Sequence, residues 1–246
     1  MKTFRADLHI HTVLSPCADL EMSPRNIVQR AHELKLDIIG VSDHNCTLHA
    51  PLIRKLAAAH DIFVMMGAEV TTAEEIHCLA FFPDEQLLSQ FQEYISEHQP
   101  RFPNDKDLFG HQVLVDEEDR IIQEIDHYLG TALTDGIEEV EKAVHRLSGI
   151  FIPAHINRHS LSVLSQLGWI PEGLRADALE LYNRSNKKDF LEKNPGLDQY
   201  SFVINSDAHL LRQIGEYYSI MTLKKRSFDE ITKALRKEDG RKVQMK

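Results

Sequence analysis

Hydrophobic positions along this chain follow two alternating rhythms. Short runs are apolar throughout or at every second residue, and longer runs are apolar at intervals of three and four. Residues 3 to 11, TFRADLHIH, alternate. Asp7, His9 and His11 therefore share one face of a predicted strand, and Leu8 and Ile10 share the other. SPRNIVQRAHELKL predicts a helix, with Ser23 as N-cap, Pro24 at its first position and Ile27, Val28, Ala31 and Leu34 at helical spacing. DIIGVSDH reads as a strand covered on both faces, APLIRKLAAAHDI as a helix and FVMMGAEVTT as a strand. HCLAFF is a further strand that begins at His77 and turns Cys78 to the opposite side. Residues 84 to 98 form a helix striped by Leu87, Leu88, Phe91, Tyr94 and Ile95.

Residues 99 to 130 break this rhythm. QPRFPNDKDLFG has loop chemistry, and HQVLVDEEDRIIQEI reads as a hairpin turning around Asp116 to Asp119. The segment is an insertion, equally suited to be a lid over a site or a plain surface excursion. Alternation resumes with the helix DGIEEVEKAVHRLSG, the strand IFIPAHI, the helix SLSVLSQLGW, the strand DALELYN and the helix KKDFLEKN. The strands SFVINSDAH and YYSIMTL and the helix SFDEITKALRK complete it. About seven strands alternating with helices predict an α/β fold, either a parallel barrel or an open parallel sheet.

Composition adds bounds rather than detail. With 42% hydrophobic and 27% charged residues and no linker-like stretch, residues 1 to 246 are expected to form a single domain. The formal charge of −10 argues against a broad basic surface. Extended duplex nucleic acid is therefore not an expected partner, whereas a small phosphate ester or the end of a short oligonucleotide is. Bound divalent cations would still make a pocket locally positive. No signal-like start and no run of about 18 apolar residues occurs, so no membrane association and a cytoplasmic location are expected. Cys17, Cys46 and Cys78 show no paired spacing and suit small filler positions in a reducing compartment.

The chemistry sits where the apolar runs stop. ADLHIH, DIIGVSDH, FVMMGAE, IFIPAH and FVINSDAH deliver His9, His11, Asp43, His44, Glu69, His155, Asp207 and His209 at or near strand ends. Barrel active sites gather residues from the carboxyl ends of many strands, so this placement favours a barrel and one polynuclear metal centre. Buried carboxylates are costly unless paired or metal-bound, which argues against core filler. Others of the fourteen histidines, such as His32, His60, His98 and His145, read as helix-surface residues.

DLHIH, SDH, GAE followed by His77, PAH and SDAH resemble, in order from residue 7 to residue 209, the successive motifs of the PHP (polymerase and histidinol phosphatase) family. That resemblance implies a distorted (β/α)7 barrel with two or three divalent ions, here carrying the 99–130 insertion. It also implies that His9, His11, Glu69 and Asp207 hold one ion. Glu69 would bridge to a second ion held with His77 and His155, and a third would sit among Asp19, His44 and His209. Asp43 and Asp7 read as supporting carboxylates. Oxygen and imidazole donors suit zinc, manganese or iron.

Glu69, His209 and Arg158 are the catalytic candidates. Arg158 could also hold a phosphate oxygen, as could Arg184, while Asn45 and His159 flank ligand segments as candidate substrate contacts. The expected activity is metal-dependent hydrolysis of a phosphate ester, of a nucleoside bisphosphate or at the 5′ end of a short oligonucleotide. Histidinol phosphate is the alternative substrate, and a catalytically silent metal-binding module the alternative from another class.

Overall fold

The computed structural model describes residues 1–182 and 187–246. Its strands are β1 (Lys2–Ile10), β2 (Ile38–Val41), β3 (Phe63–Thr71), β4 (His77–Phe82), β5 (Val113–Val115), β6 (Ile121–Glu124), β7 (Ile150–Pro153), β8 (Leu179–Leu181), β9 (Phe202–Ile204), β10 (Ser219–Leu223) and β11 (Lys242–Met245). Its helices are α1 (Pro24–Glu33), α2 (Ala50–Ala57), α3 (Glu85–His98), α4 (Lys106–Phe109), α5 (Ile137–Arg146), α6 (Val163–Gln166), α7 (Lys187–Lys193) and α8 (Phe228–Leu235). None of the described helices is long and apolar enough to cross a membrane.

Seven strands form one sheet in the order β11-β10-β1-β2-β3-β4-β7, and β5-β6 and β8-β9 form two small pairs. The sheet is mixed, which corrects the all-parallel expectation. β1, β2 and β3 run parallel, β4 opposes both β3 and β7, and β10 opposes both β1 and β11. The cause between β3 and β4 is the length of the connection. Residues 72–76 are enough for a hairpin, whereas a parallel return needs roughly a dozen residues or more.

The sheet curls into a half-barrel that the small parallel pair links back on itself. Asp177 N donates to Phe151 O at 2.9 Å and Ile156 N to Glu180 O at 2.8 Å, joining β7 to β8. Ala208 N donates to His9 O at 3.2 Å and His11 N to Ala208 O at 3.0 Å, joining the end of β9 to the end of β1. Two glycines permit the close strand approach this requires. A Cβ on Gly40 would lie 2.3 Å from Leu8 O, and one on Gly67 would lie 2.0 Å from Ala80 O.

Successive strand residues divide between two cores. Ile38, Met65, Phe81 and Ile152 pack inward with Leu8 and Val203. Ile39, Met66, Phe82 and Phe151 pack outward against Ile27 and Val28 of α1, Phe91 of α3 and Val144 of α5. Burial of such side chains contributes about 1.5–3 kcal/mol each. The helix starts follow the capping expectation: Ser23 accepts from Asn26 N at 3.4 Å and Asp84 from Leu87 N at 2.9 Å.

The insertion packs against the body of the fold. β5 and β6 form the expected hairpin. Val113 and Val115 pack on Val13, and Ile125 and Leu129 pack on Leu14 and Cys46. Buried Gln112 braces the segment, accepting from Leu129 N at 2.7 Å and donating to His127 O at 2.7 Å.

Candidate metal centre

One rim of the curled sheet collects the strand ends. His9 lies in β1 and His11 just beyond it, His44 follows β2, and Glu69 lies near the carboxyl end of β3. His77 opens β4 at the same rim, because β4 runs antiparallel and its register pairs His77 with Thr71. His155 follows β7, and Asp207 and His209 follow β9. Three residues here adopt left-handed backbone, Asn45 (φ 45°), His155 (φ 31°) and Asp207 (φ 51°), so the chain turns sharply as it leaves each strand.

Glu69 is the hub. Its carboxylate, 1% exposed, lies 3.0 Å from His77 Nδ1, 3.2 Å from His155 Nε2, 3.2 Å from His44 Nδ1, 3.3 Å from His9 Nε2 and 3.4 Å from His11 Nε2. Asp207 Oδ1 approaches the same two nitrogens of His9 and His11 at 3.3 and 3.4 Å. Three groups therefore have donor atoms close enough to share an ion: His9, His11, Glu69 and Asp207; His44, Glu69 and His77; and His11, His44 and His209. His155 joins through Glu69.

The surrounding hydrogen bonds set which imidazole nitrogens carry protons. His9 Nδ1 donates to Glu180, with both carboxylate oxygens at 3.1 Å, and Glu180 also accepts from Asn205 Nδ2 at 2.7 Å and His155 N at 2.8 Å. Ser15 Oγ donates to Asp43 at 2.7 Å, so its contact with His11 Nδ1 at 3.0 Å is donated by the ring. When His9 and His11 are neutral, their Nε2 lone pairs point towards each other, 3.2 Å apart, and towards two carboxylates. Acceptors converging in this way repel unless a cation lies among them, so the donor set fits divalent metal. His44 Nδ1 and His155 Nδ1 are buried without a hydrogen-bond partner, and His44 Nδ1 lies 3.2 Å from Glu69 Oε2.

Without a cation, the carboxylates draw protons onto the rings where an ion would otherwise sit. Burial alone would raise Glu69, but the His77 and His9 imidazoles outweigh it and hold the carboxyl well below the usual range. Burial lowers His9, yet Glu180, Glu69 and Asp207 lift it well above the ordinary value. Burial, reinforced by His11, brings His44 well down and His209 to about 4. Asp7 is pushed up to about 6 by burial while it accepts from Ser206 N and Gly215 N.

The other expected residues separate. Arg158 reaches the centre, with Nη1 3.3 Å from Asp207 Oδ2 and its guanidinium 5.6 Å from the Tyr182 ring. Asp19 does not join the cluster: it is exposed, caps its own turn through Glu21 N, and lines a separate hollow with Arg30 and Arg212. The third donor group takes His11 in its place. Asn45 is fully buried, accepting from Thr71 N at 3.0 Å and donating to Leu129 O at 2.7 Å and Thr131 O at 2.9 Å, so it ties strand ends to the insertion. His159 is exposed beside Asn157 and Phe190, outside the main cavity. Arg184 lies outside the described residues. Glu180 was not anticipated, although a charged residue within the apolar run ALELY is a signal of its kind.

Above the cluster lies a cavity of about 660 Å³. His44, Glu69, His77, Asp207 and His209 reach it from one side, and Tyr128 and Gly130 of the insertion segment form a wall with the following Ala132. Arg158, Tyr182 and Tyr217 line the rest with Gln213, Glu216 and the exposed Cys17.

A family described as "PHP domain" matches residues 7–159, and one described as "PHP-associated" matches residues 199–239. The uncharacterized protein YqxK of Bacillus subtilis is 24% identical over 278 aligned residues, which cover 99% of this chain and 64% of YqxK. The lesion-specific endonuclease PfuEndoQ from Pyrococcus furiosus superposes with a TM-score of 0.74 at 20% identity, covering 98% of this chain and 58% of its own. Endonuclease Q in complex with a 27-mer duplex bearing an abasic lesion at the active site gives a TM-score of 0.69 at 20% identity, with the same coverage. This chain spans less than two thirds of the length of these relatives, and the structural likeness is one of fold.

That likeness corrects the expectation that extended duplex nucleic acid is excluded, since endonuclease Q, which shares this fold, is found in complex with a 27-mer duplex substrate. The formal charge of −10 sums the entire surface, whereas a duplex meets one face.

Proposed function

Because this chain belongs to the PHP family, with 7–159 of its residues matching the family's domain, we propose that it is a metal-dependent phosphoesterase acting on a phosphate ester of a nucleotide or nucleic acid. The observation that carries the reading is the convergence of five imidazoles on the buried Glu69 carboxylate at the edge of an open cavity. In this reading His9, His11, Glu69 and Asp207 hold one ion. Glu69, His44 and His77, with His155 alongside, hold another, and His11, His44 and His209 offer a third position. Divalent cations bound there, of zinc, manganese or iron, supply Lewis-acid chemistry that activates water and neutralises charge developing on phosphoryl oxygens.

The chain's own groups do the rest. Glu180 and Ser15 fix the rings of His9 and His11 so that lone pairs are aimed before any ion arrives. Arg158, anchored on Asp207 and lying over Tyr182, can donate a forked pair of bonds to a phosphate oxygen. His209, neutral at physiological pH, suits a ligand better than a donor of the leaving group's proton. Tyr128, Tyr182 and Tyr217 bring aromatic rings to the cavity, and stacking on such rings contributes about 1–3 kcal/mol per base. This favours a nucleotide ester over histidinol phosphate, and the three donor groups that assemble without Asp19 favour an enzyme over a silent module.

The test is a substrate panel assayed with manganese, zinc and iron: nucleoside 3′,5′-bisphosphates, 5′-phosphorylated oligonucleotides, duplex DNA with an abasic site, and histidinol phosphate. Metal-dependent cleavage of a nucleotide or nucleic-acid ester is expected. Turnover of histidinol phosphate alone, or of nothing on the panel, would overturn the reading.

A further inference from the structure

The docked insertion meets the metal centre through a run of buried hydrogen bonds whose directions are all fixed. At one end the Val115 amide of β5 donates to His49 Nε2 at 3.0 Å. The accepting nitrogen carries no proton, so Nδ1 holds it and donates to Thr12 Oγ1 at 2.6 Å. Thr12 passes its own proton to Asp43 Oδ2 at 2.8 Å. On its other oxygen Asp43 accepts from Ser15 Oγ at 2.7 Å, and Ser15 accepts from His11 Nδ1 at 3.0 Å. His11, Thr12, Ser15, Asp43 and His49 are each at most 1% exposed. Burial holds His49 below the ordinary imidazole value and therefore neutral.

Docking the hairpin does not require such a run. Val13, Val113 and Val115 already give an apolar seam at this contact, and buried polar side chains are costly unless every one is matched. What the run adds is a link between two distant choices. His11 can turn its Nε2 lone pair towards Glu69 and Asp207 only while Nδ1 is occupied by its proton. That proton is received by Ser15, which also accepts from His44 N at 3.1 Å and donates to Asp43, itself held by Thr12 and through Thr12 by His49.

We propose that His49 is a positioning residue that couples the insertion to the metal centre: a docked Val115 holds His11 ready for an ion, and an ion on His11 holds the hairpin down. The inference rests on the reading of His11 as a metal ligand. Its consequence is that the cavity wall bearing Tyr128 is set by occupancy of the centre. Coupling between two sites is reciprocal, so metal must protect the hairpin by the same factor by which the hairpin tightens metal.

The test compares the full chain stripped by chelator with the chain loaded with Mn²⁺. Amide exchange is followed over residues 112–125, and Mn²⁺ affinity is measured by chelator competition. Mn²⁺ should slow exchange at Val115 by about fivefold or more, within the usual span of such couplings. In His49→Asn, whose shorter amide can still donate to Thr12 but has no atom at the Nε2 position that Val115 meets, that response should vanish and Mn²⁺ affinity fall by the same factor. His49→Ala should behave alike. Normal Mn²⁺ binding with hairpin exchange unchanged by the ion would overturn the coupling alone, and this wild-type comparison stands even where a variant misfolds. A chain that binds no divalent ion would overturn both the coupling and the metal reading.

Discussion

Glu69 and Glu180 are both buried carboxylates facing histidines, yet their surroundings give them different work. Glu69 meets ring nitrogens that carry lone pairs, whereas Glu180 receives the His9 Nδ1 proton and two further hydrogen bonds. Glu180→Gln should therefore leave the fold intact and weaken metal retention and kcat/KM by about 10- to 100-fold, the usual cost of losing such a partner. Metal content and kinetics on the same preparation check this, and unchanged values would make Glu180 a packing residue. Arg158→Ala should raise KM or lower kcat/KM by about 1.5–3 kcal/mol of lost charge-assisted bonding, with Lys failing to restore the fork. A variant with wild-type kinetics and a lowered melting temperature would place Arg158 outside the site. Most ligand-type residues were legible in sequence because each ends an apolar run, whereas His77 opens one. Neighbours were not: Asn45 follows His44 directly, but its left-handed backbone turns the amide inward to Leu129 and Thr131.

At the scale of elements, periodicity located helices well because caps and apolar stripes are local, as Ser23 and α1 show. Sheet direction is not local. The short β3–β4 connection carried the information, and its effect was to bring His77 to the rim beside Glu69. Close strand approach makes Gly67→Ala a sharp test of that geometry: a Cβ would strike Ala80 O, and a loss of about 1–3 kcal/mol or more is expected by denaturant unfolding. Unchanged stability would show that β3 and β4 can separate freely. A second element-scale contact is titratable. Glu230 of α8 accepts from Arg241 Nε and Nη2 and from Lys224 N, and these bonds hold its carboxyl at about 2, below the usual 4.5. Stability from this pair is complete above about 4.5 and is lost as pH falls towards 2, so Glu230→Gln should flatten the acid limb of the unfolding midpoint over that window. An acid limb as steep in the variant as in the wild type would assign it to other groups.

For the whole molecule, a summed charge was the least informative quantity. The net charge of −10 sums every surface, whereas what enters the cavity meets its own lining, where His44, His77, His209 and Arg158 stand beside Glu75 and Glu216. The role of residues 99–130 was also illegible, because docking depends on long-range partners such as Val13, Leu14 and Asn45 rather than on the segment's own pattern. Fold, cavity and insertion matter to function only if the convergent acceptors around Glu69 hold ions. The most direct measurement is native mass spectrometry of the purified chain, before and after chelation, beside Glu69→Gln. At least two divalent ions per wild-type chain are predicted. Glu69→Gln should lose most of them, and hydrolysis of the preferred ester should disappear with the ions and return when they are restored. A chelated, metal-free wild type that hydrolyses the ester at full rate would contradict the account.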